Sequence, residues 1–156
     1  MKRLYMTMLL CCAAVLPFTA QSADKMTEIL EAKTVTYAQA SYFPAVWLDS
    51  ANEPLSLEQT AQYLADRQFL PSILGNAGAR QTPITLEHLA SLCMNAWKLK
   101  GGMMYSLTRL PHYAFRELQA NGILKSDDDP SLHVDGLRAM NIMYACMELA
   151  ETEIKK

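Results

Sequence analysis

The sequence predicts an all-α protein built from three related helical units, of which the first is truncated. Apolar residues recur at positions i, i+3 and i+4 in several segments, a spacing that gives a helix one buried face. Residues suited to helix capping precede these runs, and the combined pattern recurs at intervals of about fifty residues. Because a two-helix unit cannot bury its apolar stripe alone, we expect the units to pack around an approximate threefold axis.

The first 23 residues have the order of a cleaved signal peptide. Lys2 and Arg3 precede an apolar run from Leu4 to Phe18, and small residues follow as far as Ala23. The run is shorter than the roughly 20 residues that span a bilayer, which disfavours a membrane anchor. We therefore expect a periplasmic or secreted protein. Lipidation at the doublet Cys11-Cys12 remains an open alternative.

Residues 24–156 are expected to form a single helical domain. Without Lys2 and Arg3, this part of the chain has 12 basic and 16 acidic residues, a net charge of −4. A mildly acidic protein has little electrostatic attraction for nucleic acid, so no nucleic-acid partner is expected. The mature chain has no second apolar run of membrane length, so no transmembrane segment is expected there.

The repeated pattern is an apolar residue, a capping residue, and then a helix. Its copies are Val35–Ala40, Ile84–Leu89 and Leu132–Leu137, whose starts lie 49 and 48 residues apart. Thr36 and Thr85 are the expected helix caps, and His133 holds the corresponding place in the third copy. Pro44 should kink the first capped helix or end it early. Trp47 and Trp97 fall at nearly equivalent points, and we expect at least one to be buried.

Each unit also has a helix upstream of its capped helix. These helices are expected at about Leu57–Gln68 and Pro111–Ala120, whereas the truncated first unit has only Lys25–Ala32. An apolar-Leu pair ends each of the two complete units' upstream helices, Phe69-Leu70 in one and Ile123-Leu124 in the other. Gly122 suits the left-handed turn that commonly follows a helix.

This unit resembles the S-layer homology (SLH) module, in a diverged variant found in bacterial envelope proteins. The matching segments are Ala61–Leu70 with Pro83–Glu87, and Tyr113–Leu118 with Gly122–Leu124, Asp127–Pro130 and Leu132–Leu137, with Lys100–Tyr105 between them. The resemblance covers about Val35 to Leu149 and implies three SLH-like units in a pseudo-threefold helical bundle that binds a cell-wall polymer. The family's basic residue after the cap threonine is replaced here by Tyr37, Leu86 and Val134, which argues against the family's usual binding route.

Two cysteines, Cys93 and Cys146, follow the predicted cleavage site. Disulfides persist in exported proteins, so these residues form a candidate bridge. Both lie in apolar helical stretches, and a pair of buried free thiols remains the other interpretation.

The sequence shows no catalytic or metal-binding pattern, so no enzyme and no cofactor are predicted. His88, His112 and His133 lack the i, i+3 or i, i+4 spacing of metal ligands, and the first two are expected on helix surfaces. The acidic run at 127–129 lacks the alternation of an EF-hand loop and is expected to be a solvated turn.

The candidate binding site combines cations with aromatic rings between the second and third units. Its residues are Lys98, Lys100, Tyr105, Arg109, Tyr113 and Arg116. Lys and Arg stems beside Tyr rings are suited to sugars and anionic glycans, although an ordinary solvated helix face has the same composition.

The function expected from these features is that of a non-enzymatic envelope interaction module. Its partner would be another envelope protein or a cell-wall glycan. The alternative is a secreted inhibitor or immunity protein that caps an enzyme, and a small hydrolase of unfamiliar type is a third. A basic groove with an aromatic floor would favour a glycan, and a large exposed apolar patch would favour a protein. The sequence does not specify the oligomeric state.

Overall fold

A computed structural model describes residues 23–48, 56–70 and 77–154, and over these ranges the chain is helical with no β-strand. The predicted signal peptide, with Cys11 and Cys12, lies almost wholly outside the described residues. A first helix, α1, covers residues 23–31. The others are α2 (Tyr37–Leu48), α3 (Leu57–Asp66), α4 (Ala77–Arg80), α5 (Leu86–Ala96), α6 (Met103–Thr108), α7 (Pro111–Ala120) and α8 (Gly136–Ile154). The all-α prediction is therefore confirmed over the described chain.

Short polar side chains begin several of these helices. At α2, the backbone N–H of Gln39 donates to the Thr36 hydroxyl (3.3 Å), and the backbone N–H of Thr36 donates to the Gln39 side chain (3.1 Å). Ser56 and Gln59 form the same reciprocal capping box at α3. Such a box satisfies backbone donors that otherwise lack partners in the first turn. The cap predicted at Thr36 is thus confirmed.

One expectation about the capped helices was wrong, and another was met only in position, because Thr85 precedes α5 without a side-chain capping bond. The third helix is capped by Asp135, whose carboxylate accepts the backbone N–H of Arg138 at 2.8 Å, so His133 is not its cap. Asp135 suits the cap position better than His133, because its short side chain carries an acceptor and it directly precedes the first helical residue, Gly136. Pro44 does not end the first capped helix, because α2 continues to Leu48.

The segments just before α2, α5 and α8 meet inside the protein. The backbone N–H of Val35 donates to the carbonyl of Val134 (2.8 Å), and the N–H of Ile84 donates to the carbonyl of Val35 (2.9 Å). His133 Nδ1 lies 3.3 Å from the carbonyl oxygen of Ile84. Val35, Ile84 and Val134 are completely or almost completely buried. We call this cluster of three residues the central junction.

The helices that follow the central junction pack against their neighbours in a regular way. α2 packs against α3, and α5 packs against α7, so each of the first two capped helices contacts the helix predicted to lie upstream in the following unit. α5 also contacts α2 and α8, and most of its residues are buried. Trp97, at the end of α5, is 7% exposed, whereas Trp47 is 45% exposed. The prediction that at least one of these tryptophans is buried is therefore confirmed.

α8 begins against the backbone of α1. The N–H of Gly136 donates to the carbonyl of Ala32 at 2.8 Å. A Cβ atom added at Gly136 would lie 1.7 Å from the carbonyl oxygen of Ile29. Only glycine permits this approach, because the obstructing atom belongs to the backbone and cannot rotate away.

The two cysteines of the domain lie side by side in the core. Cys93 on α5 and Cys146 on α8 are fully buried free thiols, so the candidate disulfide is not formed in this structure. Burial raises the pKa of Cys93 well above its ordinary value, and the hydrogen bond with the neighbouring Cys146 thiol raises it further. The Cys93 sulfur is therefore protonated at neutral pH.

None of the helices within the described ranges is both long and apolar enough to cross a membrane.

Candidate functional site

An open groove runs along one side of α5, between the end of α3 and the short helix α6. It consists of two adjoining hollows of about 590 Å³ and about 480 Å³, which share Phe69, Asn95 and Arg109. The first hollow is also lined by Met94, Lys98, Leu99, Lys100, Gly101, Tyr105 and Ser106, and the second by Arg67, Gln68, Leu70, His88, Ser91 and Pro111. We call this feature the basic groove.

The charge of the basic groove is opposite to that of the protein as a whole. Four cations line it, Arg67, Lys98, Lys100 and Arg109, and none of the described lining residues is acidic. Three carboxylates lie near the lining residues: Glu153 Oε2 accepts the backbone N–H of Lys100 at 3.4 Å, Glu117 lies near Tyr105, and Glu87 lies near His88. In the described part of the chain, none of the four cations forms an ion pair.

Aromatic rings hold the two guanidinium groups of the groove. The guanidinium carbon of Arg67 lies 4.1 Å from the centre of the Tyr63 ring, and that of Arg109 lies 5.0 Å from the centre of the Tyr105 ring. A ring face attracts a cation without neutralising it. The guanidinium groups therefore keep their full charge and their N–H donors available to an incoming anion.

Three helices end beside the groove, and their dipoles oppose an anion there. The C-terminal ends of α3, α5 and α6 carry Arg67, Lys98 and Arg109 at or just after their last residues. A helix C-terminus is equivalent to roughly half a negative charge, so part of each cation's charge offsets its own helix. Among the groups that line the groove, four full positive charges exceed these three partial negative charges.

The backbone is left-handed at three non-glycine residues of the described chain, and all three line the groove. They are Gln68 (φ 61°), Lys98 (φ 52°) and Arg109 (φ 53°). The equivalent turn after α7, which lies outside the groove, has Gly122 (φ 73°). Since non-glycine residues in this conformation cost roughly 1–2 kcal/mol, helix termination alone would favour glycine at every one of these positions. At the three positions that line the groove, the chain has larger side chains instead of glycine. Strained residues of this kind tend to cluster at functional sites.

Tyr105 fixes α6 against α5. It is the fully buried residue of this short helix, and its hydroxyl donates to Asn95 Oδ1 at 3.1 Å. A Cβ atom at Gly101 would lie 2.5 Å from Tyr105 Cδ1, so glycine is needed for the ring to pack inward. Burial raises the pKa of Tyr105, and the nearby Arg109, which acts to lower it, only partly offsets this effect. The hydroxyl therefore stays protonated and can donate its hydrogen bond.

His88 is half-buried at the other end of the groove, contrary to the expectation of a surface position. Its Nδ1 atom lies 2.7 Å from the Tyr37 hydroxyl and 3.0 Å from the Thr85 hydroxyl. Burial lowers the pKa of His88 below 6.5, and the negative charge of Glu87 only partly opposes this effect. His88 is therefore a neutral, polar component of the groove at neutral pH. His112, by contrast, is exposed on α7.

The acidic run at 127–129 forms the expected turn. Asp129 Oδ1 accepts the backbone N–H and the hydroxyl of Ser131 at 2.8 and 2.7 Å. Asp128 forms an ion pair with Arg138 at 2.6 Å. Within the described ranges, no group of three or more His, Cys, Asp or Glu side chains is arranged to hold a metal ion.

The sequence-predicted binding residues divide into two sets. Lys98, Lys100, Tyr105 and Arg109 line the groove together. Tyr113 packs against the core and Arg116 is exposed on α7, and neither lines the groove. Sequence reasoning missed the contribution from the end of α3 and the polar stripe of α5, namely Arg67, Gln68, Phe69, His88, Ser91 and Asn95. The polar positions 88, 91 and 95 on an otherwise apolar helix were a usable signal.

No family model, no curated protein sequence and no solved structure matches the chain. The structure itself is an all-helical domain over the described residues, with a basic groove beside a short, exposed helix.

Proposed function

We propose that this protein is a non-enzymatic interaction module of the bacterial cell envelope that binds an anionic cell-wall glycan in the basic groove. Export rests on the predicted signal peptide at residues 1–23, which would deliver the mature chain to the periplasm or the exterior. One observation carries the proposal. Within the described residues, four cations without ion-pair partners converge on one groove in a domain whose net charge is −4.

The chemistry of the groove suits an anionic sugar polymer. Planar guanidinium groups bind carboxylate or phosphate through paired hydrogen bonds, and Arg67 and Arg109 are held in place by rings. Phe69, which is only partly buried, supplies apolar surface for a sugar ring, and Asn95 and Ser91 supply polar groups. The groove is open rather than enclosed, which suits a segment of a long chain.

The predicted repeat is compatible with this proposal. In an SLH-like arrangement the three unit starts would lie around a common axis, and the hydrogen bonds among Val35, Ile84 and Val134 support that interpretation. The pseudo-threefold bundle and the SLH resemblance remain predictions. The proposed site differs from the family's usual one, because the residues after the caps are apolar or aromatic here.

Retention on purified cell-wall sacculi tests the proposal. The mature protein should co-sediment with sacculi, and added salt should weaken the binding, because exposed charges are screened. The double variant Arg67→Ala and Arg109→Ala should lose most of the binding. Arg116→Ala, which removes an exposed cation outside the groove, should bind like the wild type. Equal binding by all three proteins would refute the groove as the site.

The alternative function, an inhibitor or immunity protein that caps an enzyme, is favoured by one observation. Met103 and Leu107 of α6 are almost fully exposed, and exposed apolar residues are common in protein interfaces. If this were the function, α6 variants would abolish inhibition of a specific envelope enzyme, and groove variants would not.

A further inference from the structure

The short helix α6 displays apolar side chains to solvent. Met103 is 86% exposed and Leu107 is 79% exposed, and Met104 and the following residue Leu110 are about half exposed. These four large apolar residues lie within eight positions of the chain, and we call them the α6 ridge. An exposed apolar patch of this kind usually marks a surface that is covered when the protein functions.

The structure holds the α6 ridge outward. Tyr105 is the buried residue of the helix and packs beneath it, with its hydroxyl bonded to Asn95. The glycines at 101 and 102 make room for Tyr105 and for the Glu117 carboxylate. The exposure of the ridge is therefore built into the packing of α6.

Cations lie at both ends of the ridge. Lys98 and Lys100 precede α6, and Arg109 is its C-terminal cap. Two carboxylates lie near these cations. They are Glu117, beside Gly102, and Glu153, which accepts the backbone N–H of Lys100. The long stems of lysine and arginine let the charge stay in a polar layer while the apolar neighbours go deeper.

This combination fits a lipid surface better than a protein pocket. The apolar members of the ridge are only Met and Leu, without the aromatic anchors that dominate protein hot spots. Apolar insertion combined with flanking Lys and Arg is how interfacial segments bind anionic membranes. Because the mature chain has a net charge of −4, an anionic membrane attracts the cations around the ridge rather than the molecule as a whole. The molecule is therefore oriented with the ridge toward the headgroups.

We propose that the α6 ridge docks the protein on a bilayer that carries anionic phospholipid headgroups, with Met103, Leu107 and Leu110 inserted among the acyl chains and Lys100 and Arg109 at the headgroups. This docking does not depend on glycan binding. Arg67, at the far end of the basic groove, serves only the groove.

Vesicle co-sedimentation tests the docking. Wild-type mature protein should bind vesicles of phosphatidylcholine mixed equally with phosphatidylglycerol, and should bind pure phosphatidylcholine vesicles much more weakly. Leu107→Gln should weaken binding to the mixed vesicles about tenfold, since it removes one inserted aliphatic side chain. Leu137→Gln is the matched control, because Leu137 is 61% exposed on α8, away from the ridge. Circular dichroism on each variant checks that the fold is intact.

Three outcomes would overturn the proposal. The first is absence of wild-type binding to the mixed vesicles, and the second is equal loss from Leu107→Gln and Leu137→Gln. The third is that the ridge joins two copies of the chain. Leu107→Gln would then have half the molar mass of the wild type, and neither the wild type nor the variant would bind vesicles. Arg67→Ala separates the two proposals, because it should reduce sacculus retention and leave vesicle binding unchanged.

Discussion

The central junction and the basic groove have opposite physical characters within one small domain. At the junction, Val35, Ile84 and Val134 are buried and their backbone groups are joined by short hydrogen bonds. At the groove, the cations have no ion-pair partners among the residues that the structure describes, and Lys98 is held in a left-handed conformation. One region is buried and linked by backbone hydrogen bonds, whereas the other has features that reduce stability.

This difference separates structural residues from functional ones. Junction residues satisfy each other, so their replacement should lower the free energy of unfolding without any ligand present. Groove residues are incompletely satisfied, as expected where a ligand supplies the missing interactions. Substitutions in the two regions should therefore change stability in opposite directions.

The largest effect is expected from Gly136→Ala, next to the junction. Its Cβ would collide with the backbone of Ile29, so the cost should exceed the roughly 1–3 kcal/mol of ordinary overpacking, and we expect little folded protein. Gly122→Ala is the control, because no atom lies within 4 Å of its added Cβ and only the left-handed backbone is strained. Urea denaturation compares the two. A folded Gly136→Ala variant of near wild-type stability would contradict the packing of α1 against α8.

The second effect concerns the thiols of Cys93 and Cys146, on α5 and α8. In an exported protein, exchange with an oxidised dithiol carrier would join them and reduce the carrier. Closing this loop should stabilise the fold by roughly 4 kcal/mol in the chain-entropy model. Alkylation of protein purified from the envelope and unfolded without reductant provides the measurement. Two alkylated cysteines would show that the pair stays reduced.

A smaller effect is expected from His88 at the edge of the groove. Because burial lowers its pKa, the folded protein binds this proton less readily than the unfolded chain does. Stability should therefore be complete above the ordinary pKa of 6.5 and should fall as the pH drops below it. His88→Gln should flatten this dependence in urea denaturation at a series of pH values, and His112→Gln should not. An unchanged slope in His88→Gln would place the titrating group elsewhere.

The capped and upstream helices were predictable because their signals are local, whereas the short helices α4 and α6 were not predicted. Thr36 with Gln39 and Ser56 with Gln59 have the spacing of capping boxes, and both form. The third copy was misassigned by two residues. His133 and Asp135 both precede an apolar helix, and only the side-chain bond to Arg138 identifies Asp135 as the cap.

The groove was only half predictable because it is assembled from distant segments. Lys98 to Arg109 are close in sequence, and their mixture of charge and aromatic residues was visible. Arg67 and Gln68 join them only through the packing of α3 beside α5, which no local pattern encodes. Arg116 was included because it is near in sequence, although the turn of α7 places it outside the groove.

The most direct test of the central claim is to replace Lys98 with glycine and measure stability and sacculus binding on the same protein. Lys98→Gly relieves the left-handed strain, so stability should rise by about 1 kcal/mol, while loss of the cation should weaken binding about tenfold. Gly122→Lys makes the reverse change after α7, outside the groove, and should lower stability without changing binding. If Lys98→Gly gains stability and binds sacculi as tightly as the wild type, the basic groove is not the binding site.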